Sequence, residues 1–233
     1  MKKIRIHSFE TLGAHDGPGL RTVVFFQGCP MKCLYCHNPD MLECGKNGKD
    51  YLIEEVVAFC KKYKLYHGEN GGVTLSGGEP LMQAEGVLEL IRELKKEGFR
   101  VCLDTGGGVK INDTVKRILN EIDFILFDIK HTDPEKHLEL TGQPIEYMMN
   151  VLNYIKTIKK AFYVRQVIVP GFTDDETQIK KLKKLAEGAM KIELLPYHTL
   201  GIEKWLKLGM DYKLKEFTPP SKELMKKLEE IVS

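Results

Sequence analysis

Residues 21–37 read RTVVFFQGCPMKCLYCH, a short apolar run followed directly by three closely spaced cysteines. The run Arg21–Gln27 is rich in β-branched and aromatic residues and lacks clean polar alternation, which is typical of a strand buried on both faces. Cys29, Cys33 and Cys36 follow it, separated by three and then two residues. The stretch therefore predicts a buried strand that carries a group of thiols at its carboxyl end.

Five more apolar runs alternate with segments of helical periodicity. The strand candidates are Val73–Ser76, Phe99–Asp104, Asp123–Asp128, Phe162–Val169 and Lys191–Leu195. Apolar residues recur with helical spacing from Ile53, Val87, Met148, Ile179 and Leu224, and Asn112 or Asp113 could cap a shorter helix. This alternation predicts an α/β fold with a parallel sheet, either an open, partial six-stranded β/α barrel or an open doubly wound sheet. Because no repeat or linker interrupts the chain, we expect residues 1–233 to form one domain.

The composition of the chain excludes several classes of protein and indicates the cellular compartment. The chain has 35 Lys and Arg residues against 33 Asp and Glu, a net charge of +2, so we expect no nucleic-acid partner. Neither a leader-like apolar segment at the start nor a membrane-length apolar run is present, and we expect a cytoplasmic protein. The other cysteines, Cys44, Cys60 and Cys102, are scattered, which argues against a disulfide scaffold. Cys60 and Cys102 lie in apolar surroundings typical of buried thiols.

The cysteine triplet has three interpretations. Cys33 and Cys36 with His37 match the haem-attachment pattern C-x-x-C-H, although no export signal accompanies it. A structural zinc site would need His37 as its fourth ligand. Because His37 directly follows Cys36 in the chain, the two can hardly both take part in tetrahedral coordination of one zinc ion. An iron–sulfur cube usually takes four cysteines, so three would leave one iron without a protein ligand. An open metal position is where chemistry takes place in catalytic metal sites, and we favour this interpretation.

Polar residues follow the other predicted strands at the points where those strands end. They are Ser76–Pro80, Asp104 with Thr105, Asp128–Lys130, and Pro196–His198. In parallel α/β folds ligands gather at the carboxyl ends of the strands, so these residues should share a rim with the cysteines. Glycines at 77 and 78 would let the backbone approach a ligand closely, although an ordinary strand–helix turn would also use them. A buried Asp128 needs a cation or hydrogen-bond donors, and Lys130 is the simplest partner.

Two flanking motifs make the pattern more specific. Asp16-Gly17-Pro18-Gly19-Leu20-Arg21 precedes the cysteines and His37-Asn38-Pro39-Asp40 follows them. With these motifs the chain resembles the radical S-adenosylmethionine superfamily, and within it the activating enzymes of glycyl radical enzymes, most closely those for pyruvate formate-lyase. The likeness continues through the strand-end residues to His198 and so covers nearly the whole chain.

The resemblance implies a reaction and its cofactors. A [4Fe–4S] cluster held by Cys29, Cys33 and Cys36 would cleave S-adenosylmethionine reductively to a 5′-deoxyadenosyl radical, which abstracts a Cα hydrogen from a glycine of a partner protein. The implied partners are pyruvate formate-lyase as the protein substrate and a flavodoxin or ferredoxin as the electron donor, with no membrane involved. We expect the chain to act as a monomer.

The resemblance also assigns individual side chains. The implied cofactor-binding residues are Tyr35, Gly77, Gly78, Glu79, Asp104, Lys130 and His198. Asp104, Thr105 and Asp128 are the implied residues for a monovalent cation, and Asp16 and Arg165 those for the glycine-bearing peptide. Plainer roles remain open: packing for Tyr35, a hydrogen bond at the rim for His198, and a salt bridge at the sheet edge for Arg165.

The chain differs from the family pattern at one residue, and it lacks the additional cysteines that some members of the family carry. The family commonly has Asn where this chain has Gly106, so any hydrogen bond of that amide must be replaced. Residues 37–72 hold only Cys44 and Cys60, too few for the extra cluster of many activators of other glycyl radical enzymes. This favours the pyruvate formate-lyase type. The alternatives are an activator of another glycyl radical enzyme, a radical enzyme acting on a small molecule or RNA, and a zinc-stabilised binding module without catalysis.

Overall fold

All six predicted parallel strands are present in the computed structural model, which describes residues 2–43 and 47–233. Eight strands in this part of the chain form one sheet: β1 (Lys3–Gly13), β2 (Arg21–Phe26), β3 (Lys49–Leu52), β4 (Gly72–Gly77), β5 (Val101–Thr105), β6 (Phe124–Asp128), β7 (Phe162–Ile168) and β8 (Lys191–Pro196). Their order is β3-β1-β2-β4-β5-β6-β7-β8, and β2 and β4–β8 pair in parallel. The sheet is open, with β3 and β8 as its edges, which confirms the predicted fold class.

The two antiparallel strands, β1 and β3 on one side of β2, were not predicted from the sequence. β1 pairs with β2 through Ile6 and Phe26 and with β3 through Ile4 and Tyr51. Ile4 and Ile6 are buried and alternate with the more exposed Arg5 and His7, which is the pattern of a half-buried strand. The alternation is short, and β3 has only four residues, so neither strand stands out from the sequence.

Eight α-helices occur in the described residues: α1 (Ile53–Lys61), α2 (Ala84–Lys96), α3 (Asp113–Glu121), α4 (Pro134–Thr141), α5 (Ile145–Thr157), α6 (Glu176–Leu185), α7 (Ile202–Lys207) and α8 (Lys222–Val232). Six of them confirm the predicted helical segments, and α4 and α7 were not predicted. Asn112 is the cap of α3, since its side chain accepts from the Val115 amide at 2.9 Å. No helix in the described residues is both long and apolar enough to cross a membrane.

Two hydrophobic clusters support the site. The larger one joins the sheet to its helices. The smaller one lies around the cysteine loop and includes Met31, Tyr35, Tyr197 and Trp205. Cys60 and Cys102 are fully buried free thiols, as predicted. Cys44 lies outside the described residues.

Candidate active site

The carboxyl ends of the parallel strands enclose a cavity of about 380 Å³. Its lining contains most of the residues expected at this rim: Asp16, Cys29, Cys33, Tyr35, Cys36, Gly77, Gly78, Asp104, Thr105, Asp128, Lys130 and Arg165. Glu79 and His198 are not among the lining residues. The topology therefore brings three thiols and two strand-end carboxylates together, as the order of strands and motifs predicts.

The cysteine loop is held by backbone hydrogen bonds within itself and to neighbouring segments. The amide of Cys29 donates to the Leu42 carbonyl at 3.1 Å, and that of Cys36 donates to the Cys33 carbonyl at 3.0 Å. The loop is also tied to the end of α4, because the Lys32 amide donates to the Thr141 carbonyl at 2.7 Å. The thiols thus lie on a fixed backbone rather than on a freely moving loop.

The thiols have the chemistry of a soft metal site. All three are free, and burial raises the pKa of Cys29 and Cys36 and raises that of Cys33 to about 12. Buried thiols without metal therefore keep their protons, which a cluster would displace on binding. Three sulfur donors facing one cavity fit a site-differentiated iron–sulfur cluster. Among the described residues, no group of three or more His, Cys, Asp or Glu side chains is arranged to hold a single metal ion.

A compact charge network lies next to the thiols. Arg165 pairs with both strand-end carboxylates, since its Nη2 lies 2.5 Å from Asp104 Oδ1 and its Nε lies 2.9 Å from Asp128 Oδ1. Lys130 Nζ lies 2.9 Å from Asp128 Oδ2, and Ser76 Oγ donates to Asp104 Oδ2 at 2.7 Å. All four carboxylate oxygens are therefore engaged. Arg165 lies on β7, which has a strand on each side, so its salt bridges are not at the sheet edge.

Opposing effects set the protonation of this network. Burial alone would raise the pKa of Asp128, but the charges of Arg165 and Lys130 outweigh it and lower that pKa to about 2. Burial lowers the pKa of Arg165, but the negative charges of Asp104 and Asp128 raise it by more. The net shift of the Arg165 pKa is therefore upward. The Asp128 carboxylate thus stays ionised between the Arg165 and Lys130 cations, whose charges offset its own at the wall of the cavity.

Glu79 has a different environment from the one that the resemblance implies. It is fully buried, and Thr105 Oγ1 donates to its Oε1 and Oε2 at 2.7 and 2.8 Å. The amides of Gly106 and Leu81 also donate to it, each at 3.1 Å. Its carboxylate therefore ties the turn after β4 to the turn after β5, behind the cavity wall.

Tyr35 lies within the cysteine loop, whereas His198 follows β8. Tyr35 is buried, and its hydroxyl has no hydrogen-bond partner among the described residues. His198 stacks on His37, with ring centroids 3.7 Å apart, and lines a second, more open concavity of about 1290 Å³. This outer concavity shares Asp16, His37 and Arg165 with the inner cavity, so the two are adjacent at the residues expected to contact a peptide.

Arg21 has a structural role that was not predicted from the sequence. It is 2% exposed, and its guanidinium donates to Thr74 Oγ1 at 2.6 Å and to the carbonyls of Pro18 at 2.8 Å and Val73 at 3.0 Å. Thr74 Oγ1 in turn donates to the Asp16 carbonyl at 2.6 Å. The last residue of the Asp16–Arg21 motif thus fixes the loop that carries its first residue, and only its place in that motif hinted at this.

Close packing accounts for the glycines of the site. Gly77 has φ of 108°, and a Cβ there would lie 2.4 Å from the Phe26 nitrogen. A Cβ on Gly106 would lie 2.5 Å from Met31 Cε, so Met31 occupies the space where the family's Asn side chain would begin. The Gly106 amide donates to Glu79, which gives this turn a polar partner without an amide side chain.

Comparisons with known proteins agree with this geometry. The family model described as the Radical SAM superfamily matches residues 23–182. The chain is 41% identical to proteins named pyruvate formate-lyase-activating enzyme from Staphylococcus epidermidis and Staphylococcus aureus, over 97% of this chain and 94% of each relative.

Solved structures support the fold. A domain of pyruvate-formate lyase-activating enzyme from Bacteroides vulgatus aligns with a TM-score of 0.58 and 24% identity, over 70% of this chain and 92% of that one. Streptococcus suis SuiB bound to the precursor peptide SuiA aligns with a TM-score of 0.67 and 16% identity, over 88% of this chain and 43% of that one. At these identities the likeness concerns the fold alone.

Proposed function

The chain belongs to the radical SAM superfamily, and we propose that it activates pyruvate formate-lyase by generating a glycyl radical on that enzyme. The observation that carries the proposal is the 41% identity to named activating enzymes over 97% of the chain. When bound, the [4Fe–4S] cluster and S-adenosylmethionine of this family supply reductive sulfonium cleavage and the hydrogen-abstracting radical. The chain's own residues bind these groups, exclude water and orient the partner's glycine.

We assign the cluster to Cys29, Cys33 and Cys36. The three thiols line one cavity, and burial keeps them protonated until a metal displaces the protons. The buried aromatic ring of Tyr35 shields the same loop from water. A three-cysteine set leaves a coordination position for the amino acid part of the cofactor.

The cofactor site is proposed to extend along the strand ends. Gly77 and Gly78 offer backbone polar groups beside the thiols, and Lys130 is the proposed partner of the cofactor carboxylate. Asp128 holds the Lys130 ammonium at 2.9 Å and so fixes its direction. Glu79 is assigned a positioning role, because its carboxylate is used up by Thr105 and backbone amides. His198 would contact the adenosyl part from the outer concavity.

We also propose a monovalent cation at Asp104, Thr105 and Asp128. Arg165, Lys130 and Ser76 already engage all four carboxylate oxygens, so a cation would have to share them.

Asp16 and Arg165 remain the proposed contacts for the glycine-bearing segment, since both line the inner cavity and the outer concavity. We further propose one domain acting as a monomer, with a flavodoxin or ferredoxin as electron donor.

The test is anaerobic reconstitution followed by activation of the partner. We expect about four irons and four sulfides per chain, and a glycyl radical signal in electron paramagnetic resonance when reduced protein, S-adenosylmethionine and pyruvate formate-lyase are mixed. Cys33→Ala should abolish cofactor cleavage, and Cys60→Ala, which removes a buried thiol outside the cavity, should retain it. A signal on a dehydratase but not on pyruvate formate-lyase would overturn the choice of partner, and stoichiometric zinc without visible absorbance would favour the binding module.

A further inference from the structure

The segment that follows β8 folds back over the cysteine loop. We call residues 198–217 the strap; it contains α7 and the only tryptophan of the chain, Trp205. Trp205 is 7% exposed, and its indole Nε1 donates to the Cys36 carbonyl at 2.7 Å. The strap therefore makes a direct hydrogen bond to the backbone of a proposed cluster ligand.

Two further contacts hold the residues just after Cys36. Lys204 Nζ donates to Asn38 Oδ1 at 2.8 Å and lies 3.5 Å from Asp40 Oδ1. Gly201 packs so closely on His37 that a Cβ there would lie 2.9 Å from the His37 Cα. The strap thus contacts three consecutive parts of the chain: Cys36, His37 and the loop that follows His37.

The strap is itself firmly attached, which lets it act as a support. The rings of Trp205 and Tyr212 lie 5.5 Å apart, and the Tyr212 hydroxyl lies 2.9 Å from that of Tyr197 at the end of β8. Tyr197 is fully buried, and Leu214 packs in the same cluster. Cys36 is therefore connected through the strap to a rigid strand end.

We propose that Trp205 and Lys204 are positioning residues that clamp Cys36 and set how firmly the third thiolate holds the cluster. The proposal rests on the proposed function, since it takes the triplet as the cluster site. Cys36 is the last ligand of its loop, and the chain after it has to turn away from the site. Without Trp205 the Cys36 carbonyl would lose its indole donor and this end of the loop would be held less firmly, and departure of one thiolate would expose an iron to chelators and oxygen.

The test measures cluster loss rather than turnover. Full-length wild type, Trp205→Phe and Lys204→Met are reconstituted without oxygen and mixed with excess iron chelator, and the decay of visible absorbance is followed. Lys207→Met is the matched control, because Lys207 lies on the same helix but its ammonium pairs with Glu203, 3.6 Å away. We expect Trp205→Phe to lose its cluster about fivefold faster than wild type, the change that one hydrogen bond supplies. Lys204→Met should also lose it faster, and Lys207→Met should match wild type.

The outcomes separate this inference from the function on which it rests. If wild type binds no iron–sulfur cluster, the proposed function fails and the inference fails with it. If wild type binds the cluster and Trp205→Phe and Lys204→Met lose it no faster than Lys207→Met, only the clamp is wrong. Fluorescence gives a check that needs no variant: loading the cluster should quench the Trp205 emission strongly, and unchanged emission would contradict the contact with Cys36.

Discussion

Arg165 illustrates how much a single residue contributes to the site. Its side chain is 11% exposed, and it is the shared partner of Asp104 and Asp128 at the ends of two adjacent strands. The sequence indicated a charge in a strand but could not identify its partners, because they lie 61 and 37 residues away in the chain. Buried ion pairs are costly to break, since removing one partner leaves the other charged and desolvated.

We therefore expect Arg165→Gln to destabilise the apoprotein strongly. It leaves Asp104 without its cation and Asp128 with Lys130 alone, and a loss of about 3–5 kcal/mol is typical for such a change. Arg92→Gln is the control, because Arg92 pairs with Glu121 on the surface and exposed pairs contribute about 1 kcal/mol or less. Urea unfolding gives both values. Equal losses in the two variants would mean that the buried network contributes no more than a surface pair.

At the scale of elements, the sequence was most informative where periodicity is long and uniform. The six parallel strands and helices α2, α5 and α8 follow directly from apolar spacing. The six-residue helix α7 is too short for periodicity to reveal. It is stabilised by packing on the cysteine loop, a contact that spans more than 160 residues of sequence. Short elements of this kind depend on tertiary contacts, so their sequences carry little signal.

The turn between β1 and β2 carries Asp16, a proposed contact for the partner, so a change that loosens this turn should weaken binding of the partner. Thr74 Oγ1 connects the Arg21 guanidinium to the Asp16 carbonyl, so Thr74→Val should loosen the loop that carries Asp16. The substitution removes both hydrogen bonds, and we expect the KM for pyruvate formate-lyase to rise about fivefold, the effect of losing the bond to the Asp16 carbonyl. Cleavage of S-adenosylmethionine without the partner should be unchanged.

Thr74→Ser keeps the hydroxyl and is the matched control for this prediction. It should bind the partner as wild type does. If Thr74→Val impairs cofactor cleavage without the partner as much as it impairs activation, the loop acts on the whole cavity rather than on the partner's glycine.

At the scale of the whole molecule, the order of the strands explains why the location of the site could be predicted from the sequence. The pairing of the charged side chains within the site could not. In a parallel sheet every strand delivers its carboxyl end to the same rim, so motifs that follow strands must meet there. That rule placed Cys29, Asp104 and Asp128 correctly, and all three line the cavity. It does not say which way a side chain turns within the rim. Glu79 follows a strand like the others but turns behind the wall, because Thr105 and two amides offer it donors there.

The buried carboxyl of Glu79 should affect how the stability of the whole fold depends on pH. Burial raises the pKa of Glu79 from 4.5 to about 7, although hydrogen bonds from Thr105 and two amides oppose the rise. The folded chain then binds this proton more tightly than the unfolded chain does. Stability from this group is therefore present at low pH and is lost as the pH rises through about 7, by about 3 kcal/mol in total.

Glu79→Gln removes this titration, so the unfolding free energy of wild-type apoprotein minus that of the variant should decrease between about pH 4.5 and about pH 7. Glu85→Gln is the contrast: Glu85 is exposed, and mainly the hydrogen bond from Thr114 lowers its pKa, so its contribution is lost as the pH falls instead. Urea unfolding across this range gives both differences. A Glu79 difference that stays flat would mean that the Thr105 hydroxyl and the two amides keep the carboxylate ionised, and the turn after β5 would then be held by a buried charge throughout.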